Sequence, residues 1–224
     1  MEIHPLSARG VNCYLIKDEG LVLVDGGMPK WGKKLSKQLG DLSIEPKDIS
    51  LLLVTHGHWD HIGSANEVKS MTDCEVAINH REKDWLEQGL KVTPPGVGLW
   101  GKLIALFSRL YSRLVNFPGT PADLVLEDKD FSLEPYGIHG KVIHTPGHTA
   151  GSMSLLLDSG EAFVGDLAMN GLPLRIGPGM PAVAEDIDTV RESWQLLLDR
   201  GATWIYPGHG KPFKADVLEK HLQG

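Results

Sequence analysis

Cysteine is scarce in this chain: Cys13 and Cys74 are the only two among 224 residues. Two cysteines cannot build a disulfide framework, and no C-x-x-C pattern is present, so a reducing, cytoplasmic setting is expected. No apolar run approaches the roughly 20 residues a membrane-spanning helix needs. The start "MEIHPLSARG" has no basic stretch followed by an apolar core, so no secretory signal is expected either. Positive charge is also in short supply. Lys and Arg number 22 against 29 Asp and Glu, leaving a formal charge of −7 and a pI near 5.8. Nucleic-acid binding requires a clustered basic face, so that partner is not expected. There is no G-x-S-x-G elbow, which removes the serine-hydrolase route.

What is there is ordinary globular material: 42% hydrophobic, 23% charged, with mean hydropathy −0.12. Strands and helices mix through both halves. "VNCYLI" and "LVLVDGG" read as strands joined by the turn "KDEG". "KWGKKLSKQLGDL" has helical spacing, with Trp31, Leu35 and Leu39 on one side. "ISLLLVT" reads as a strand buried on both faces, because its consecutive apolar residues leave no solvated side. "SANEVKSM" and "REKDWLEQ" read as helices around the strand "CEVAIN". Later come the strands "DLVLE", "KVIHT", "SMSLLLD" and "EAFVGD". A helix at "AEDIDTVRESWQLLLDRG", a strand "TWIY" and a closing helix "ADVLEKHL" finish the chain. This mixture predicts one layered α/β domain over residues 1–224.

Two segments stand apart. Val97 to Phe117, "VGLWGKLIALFSRLYSRLVNF", puts a wide apolar stripe on a helix, with Lys102, Arg109 and Arg113 elsewhere. Packing on the core is the simplest expectation for it. A lid over a pocket, a dimer contact and a membrane-surface helix are the alternatives, with no membrane attachment expected of the chain as a whole. "MNGLPLRIGPGMPAVAED" is dense in Gly and Pro and reads as a long loop, where function often resides.

The stretch "THGHWDHIGS" carries three histidines and an aspartate within residues 56–61, directly after a buried strand. Alternating positions put His56 and His58 on one side of an extended strand end. Asp60 and His61 follow as the chain turns into a helix, so one loop can serve two adjacent metals. Four donors cannot complete two coordination spheres, since a catalytic zinc takes about three protein ligands and keeps an open position. Further donors stand at other strand ends: His148 in "HTPGHTAGS", Asp166 in "FVGDLAM" and His209 in "WIYPGHGKP". The remaining histidines (His4, His80, His139, His144 and His221) match no such pattern.

This order of motifs, H-x-H-x-D-H, then PGHT, then GD, then PGHG, resembles the metallo-β-lactamase-fold hydrolases, with a texture closest to the glyoxalase-like, hydroxyacylglutathione hydrolase-like branch. The resemblance spans nearly the whole chain. It implies a four-layer αββα sandwich with a dinuclear site at one edge. One metal is then expected on His56, His58 and His148, the other on Asp60, His61 and His209, with Asp166 bridging both. Asp25 in "VDGG" matches a position that supports the site from behind, although a plain strand-ending turn residue would look the same. Two divalent cations are implied, zinc by expectation, with iron and manganese also accepted by such donors.

Metal-assisted hydrolysis of an ester-type bond in a small molecule (a thioester, a lactone or similar) is the expected activity, with Asp166 and Asp60 as catalytic carboxylates. β-Lactamase members generally lack the bridging aspartate, so Asp166 counts against β-lactam cleavage. Hydroxyacylglutathione hydrolases carry a C-terminal helical extension, whereas this sequence runs about fifteen residues past His209. Lactonases of the fold usually offer a tyrosine after the bridging aspartate, where this chain reads "DLAMNG". One alternative is a mononuclear-iron persulfide dioxygenase, which would need only His56, His148 and Asp166. A non-catalytic metal-binding or electron-transfer module is another. Substrate contacts are expected from Trp100, Phe107 and Tyr111 on the apolar helix and from Arg175 in the Gly/Pro loop. A homodimer is compatible with that helix.

Overall fold

Strand pairing in the computed structural model, which describes residues 1–8 and 10–223, builds two six-stranded sheets. The first sheet runs in chain order: β1 (Glu2–Ala8), β2 (Val11–Lys17), β3 (Leu21–Val24), β4 (Leu51–Leu53), β5 (Glu75–Asn79) and β6 (Leu124–Leu126). Its first three strands are antiparallel, and β3 through β6 are parallel. Parallel neighbours need crossover connections. These are supplied by α1 (Gly32–Asp41), by α2 (Trp59–Ile62) with α3 (Ala65–Thr72), and by α4 (Lys83–Gln88) with α5 (Gly98–Ser112).

The second sheet begins with β7 (Phe131–Ser132), β8 (Gly140–His144), β9 (Met153–Leu157) and β10 (Glu161–Gly165). The Gly/Pro-rich loop expected after Asp166 folds back as a small ribbon of β11 (Met169–Asn170) and β12 (Pro178–Gly179). After α6 (Ile187–Asp199), β13 (Trp204–Pro207) pairs parallel to β10, and β14 (Phe213–Lys214) closes the sheet before α7 (Asp216–Gln223). The carboxylate of Asp186 accepts from the backbone N–H groups of Asp188 and Thr189, which starts α6 at its acidic first turn.

Three buried clusters separate four layers. Leu15, Leu23, Leu52 and Val76 face outward onto α1, α3 and α4 through Leu35, Leu39, Val68 and Leu86. Tyr14, Val22, Leu51, Leu53, Leu155 and Phe163 meet between the sheets. Val164 and Ile205 pack under α6 and α7 with Trp194, Leu197 and Leu218. The alternation Leu51/Leu53 inward and Leu52/Val54 outward explains why "LLLV" is apolar at every position. The result is the αββα sandwich expected from the motifs.

Three local expectations need correction. β1 is a strand the pattern did not announce. Its Pro5 removes a ladder donor, and such a strand survives only at a sheet edge, where β1 lies. The helix expected over residues 97–117 ends at Ser112, after which the chain departs so that Phe117 can pack against the first core. The apolar face of that helix is not packed on the core: only Gly101 and Ser112 are buried, and Leu99, Leu106, Phe107 and Leu110 are exposed. The helix meets the rest of the molecule through its small side instead, where Gly101 lies against the Ala182 carbonyl too closely for any Cβ.

Leu52→Ala empties a fully buried position in the centre of the first sheet and is expected to cost about 3 kcal/mol. Leu110→Ala on the exposed face of α5 should stay within about 0.5 kcal/mol. Urea unfolding midpoints of the two variants test this placement directly.

Candidate metal centre

β3 and β4 are parallel, as are β10 and β13, so their carboxyl ends open at one edge of the sandwich. β3 leads into Asp25, β4 feeds His56 and His58, α2 carries Asp60 and His61, and the turn from β8 to β9 carries His148. β10 leads into Asp166, and β13 leads into the turn with His209. The structure brings all seven sequence-predicted donors together there. They form three overlapping groups: His56, His58 and His148; His56, His61 and Asp166; and Asp60, His61 and His209. Within each group the donor atoms lie within 4.8 Å of one another.

The rings are aimed by their outer nitrogens. His148 Nδ1 donates to the Val183 carbonyl at 2.8 Å, and His209 Nδ1 donates to the Gly10 carbonyl at 3.0 Å. His61 Nδ1 donates to Asp25 Oδ2 at 2.8 Å. The Thr55 hydroxyl donates to Asp25 at 2.9 Å, which leaves its oxygen to accept from His56 Nδ1 at 3.1 Å. Each such bond fixes a tautomer and turns Nε2 toward the centre. His58 is the exception, presenting Nδ1 inward at 2.9 Å from His148 Nε2. Asp25 is thus more than a turn residue. Its carboxylate anchors the Thr55 backbone at 2.8 Å as well as the His61 ring.

Charge divides the centre into halves. Burial, first of all, pushes His56, His58 and His148 down, His58 to about 3, so three neutral lone pairs converge. His148 Nε2 lies only 3.2 Å from His56 Nε2. Lone pairs at that separation repel unless a cation sits among them. Burial also opposes charge on His61 and His209, but Asp166 outweighs it, together with Asp25 for the first and Asp60 for the second. Both are raised, His209 to about 10. Burial would raise Asp166, yet His209 and His61 hold it well below the usual carboxylate range. Asp166 reaches both halves: Oδ1 is 3.4 Å from His61 Nε2, and Oδ2 is 3.4 Å from His209 and 3.8 Å from His148.

These donors fit divalent cations. His61 Nε2 and Asp166 Oδ1 are buried without a hydrogen-bond partner. Gly208 keeps the floor open, because a Cβ there would lie 2.6 Å from both Asp166 Oδ1 and the His61 ring. Neutral imidazoles and carboxylates suit zinc, iron or manganese alike.

The cleft over the centre is small, about 100 Å³, with Trp59, Met169 and Val183 on its walls. Through Ile104, Ser108 and Leu174 it shares walls with an apolar trough of about 440 Å³, whose sides include Trp100, Phe107, Tyr111 and Pro173. Arg175 does not reach the cleft. It lines a separate hollow of about 590 Å³ beside Val97 and Met180, and its Nη1 donates to the Met180 carbonyl. His144 is outside the centre too, donating to the Ala150 carbonyl and steadying the His148 turn.

Sequence reasoning missed Glu82. It is buried, and its carboxylate accepts from Gly57 N–H between two of the histidines and from Gly151 N–H beyond His148. Burial raises it to about 6 against those bonds. A lone glutamate at a helix start offers no sign of this in the sequence.

Two stacked sheets with outer helices and a His/Asp centre at one edge define a metal-dependent αββα protein. The chain belongs to the metallo-beta-lactamase superfamily, whose sequence profile matches residues 6–209. It is 27% identical to the probable metallo-hydrolase YflN of Bacillus subtilis, covering 97% of this chain and 89% of that one. It is 30% identical to the beta-lactamase-like protein 2 homolog of Drosophila melanogaster, covering 95% of this chain and 62% of that protein. Among solved structures, BLEG-1 B3 metallo-beta-lactamase superposes with a TM-score of 0.73 at 24% identity, over 100% of this chain and 99% of that one. ST1585 of Sulfolobus tokodaii, an archaeal superfamily protein, gives 0.69 at 22% identity, over 99% and 84%.

Two outcomes follow from this geometry. Glu82→Ala leaves two buried N–H groups unpaired. It is expected to cost about 2 kcal/mol and to weaken metal binding roughly tenfold or more in chelator competition, with Glu82→Gln between it and the parent. His209, raised to about 10, carries a proton at pH 7 and must release it to solvent before its Nε2 can bind a divalent cation. Metal loading should therefore release protons at neutral pH and tighten as pH rises toward 10, read as buffer-dependent heat in calorimetry.

Proposed function

We propose that this chain is a hydrolase that cleaves ester-type bonds with water activated by two divalent cations, zinc by preference. The observation that carries the reading is Asp166, whose Oδ2 lies 3.8 Å from His148 of one group and 3.4 Å from His209 of the other. His56, His58 and His148 would hold one cation and Asp60, His61 and His209 the other, with Asp166 shared. Two such cations would supply a water of lowered pKa and a Lewis acid for the scissile carbonyl. Asp166 would orient the attacking water through Oδ2, which faces both halves, and Asp60, 3.3 Å from His209, would take up its proton and return it to the leaving group. Ile104, Met169, Leu174 and Val183 crowd the cleft and limit bulk water there.

The trough beside the cleft supports a narrower reading: an acyl thioester, ester or lactone whose apolar chain runs along Trp100, Phe107 and Tyr111. No charged side chain lines that trough. The names of the curated relatives agree with hydrolysis and say nothing of a substrate. The complete second group of donors supports a dinuclear hydrolase over the mononuclear-iron dioxygenase.

The test is metal analysis followed by a substrate panel of thioesters, lactones and phosphodiesters. About two cations per chain and hydrolysis of acyl substrates are expected, with kcat/KM rising with chain length through KM. Truncating Trp100, Phe107 and Tyr111 together should raise KM roughly tenfold with metal content unchanged, since each removes about half a kcal/mol or more of apolar contact. One iron per chain with oxygen uptake on a persulfide would overturn the reading.

A further inference from the structure

Charge is unevenly distributed along this acidic chain. Gln88 to Ala122 contains Lys91, Lys102, Arg109 and Arg113 and no acid, and Leu167 to Ala184 contains Arg175 and no acid. With a net charge of −7 overall, the rest of the chain is strongly acidic. These two segments also hold the most exposed large apolar residues. Leu99 is 88% exposed and Leu114, just beyond α5, is 84%, while Leu172 and Ile176 in the neighbouring loop are 77% and 87%. Trp100 Nε1 donates to the Pro173 carbonyl at 3.0 Å, which ties that loop alongside α5.

Helical spacing sorts α5 into faces. At about 100° per residue, Leu99, Leu103, Leu106 and Leu110 form a ridge opposite the buried Gly101 and Ser112. Lys102, Arg109 and Arg113 run as a band along one edge of that ridge. Such a contiguous apolar face on a monomer marks an interaction surface. Among the described residues, no helix is long and apolar enough to cross a membrane, so any lipid contact of α5 is lateral.

We propose that the α5 ridge and the loop beside it dock on an anionic lipid surface. Leucines would enter the headgroup boundary while the basic band meets lipid phosphates and carboxylates, and the acidic remainder of the chain is held away. A second copy fits less well. An antiparallel two-fold pairing through the leucines would set each basic band beside the other, with no acid between them. Phe107 belongs to both the exposed face and the trough wall, so docking would set the mouth of the trough against the bilayer.

The experiment is co-sedimentation of the full chain with vesicles of phosphatidylcholine alone and with about a third phosphatidylglycerol. Binding at least about tenfold tighter to the anionic vesicles is expected, weakened in about 0.5 M salt. Leu106→Glu with Leu110→Glu should abolish it while circular dichroism stays unchanged, because both side chains are exposed and outside the trough. No binding to anionic vesicles, equal binding to both vesicle types, or unaltered binding by the double variant overturns the proposal. So does a stable dimer in sedimentation velocity that the same double variant converts to monomer, which would give this face to a second copy.

Discussion

Five imidazoles, four of them buried and His209 partly so, converge on one point, and the rest of the architecture serves to keep each turned inward. A buried ring must satisfy its outer nitrogen or bear the cost of desolvation. Here that nitrogen finds a carbonyl, a hydroxyl or a carboxylate in four of five rings. Asp25 is central to this scheme, because one carboxylate holds the Thr55 loop, the Thr55 hydroxyl and the His61 ring. Its backbone sits at φ +65°, in the left-handed region that aspartate tolerates better than most residues.

The same constraint ties the two sheets together at the centre. Asn12 and Tyr14 of β2 both donate to the Pro207 carbonyl, at 3.1 and 2.7 Å, and Asn12 N–H reaches the Gly208 carbonyl at 2.7 Å. The first sheet therefore grips the turn that carries His209 from the second. Glu82 performs a parallel task between the His56–His58 loop and the His148 turn. Rigid strand ends locate the donors, and buried hydrogen bonds between the layers set their angles.

α5 obeys a different logic. Every other long helix buries its apolar stripe against a sheet: α1 through Leu35 and Leu39, α6 through Trp194 and Leu197. α5 stands at the rim of the cleft with its stripe outward. Its sequence looks like that of a core helix because amphipathic spacing reports only that one side is apolar. What covers that side is a property of the surroundings.

The donor set and the layered fold were legible in the sequence because both follow from local pattern. Alternation and runs of apolar residues declare strands and their buried faces, and His/Asp clusters at strand ends declare their own chemistry. The fully apolar "LLLV" and the turns PGHT and PGHG needed no tertiary knowledge. Other features belong to the tertiary structure alone. The choice between the two readings of Asp25, the Glu82 clamp, the displacement of Arg175 from the cleft and the exposure of the α5 leucines all depend on residues distant in sequence meeting or failing to meet. Periodicity encodes which face of an element is apolar. Burial, and the hydrogen bonds it makes necessary, are decided only when the layers close around one another.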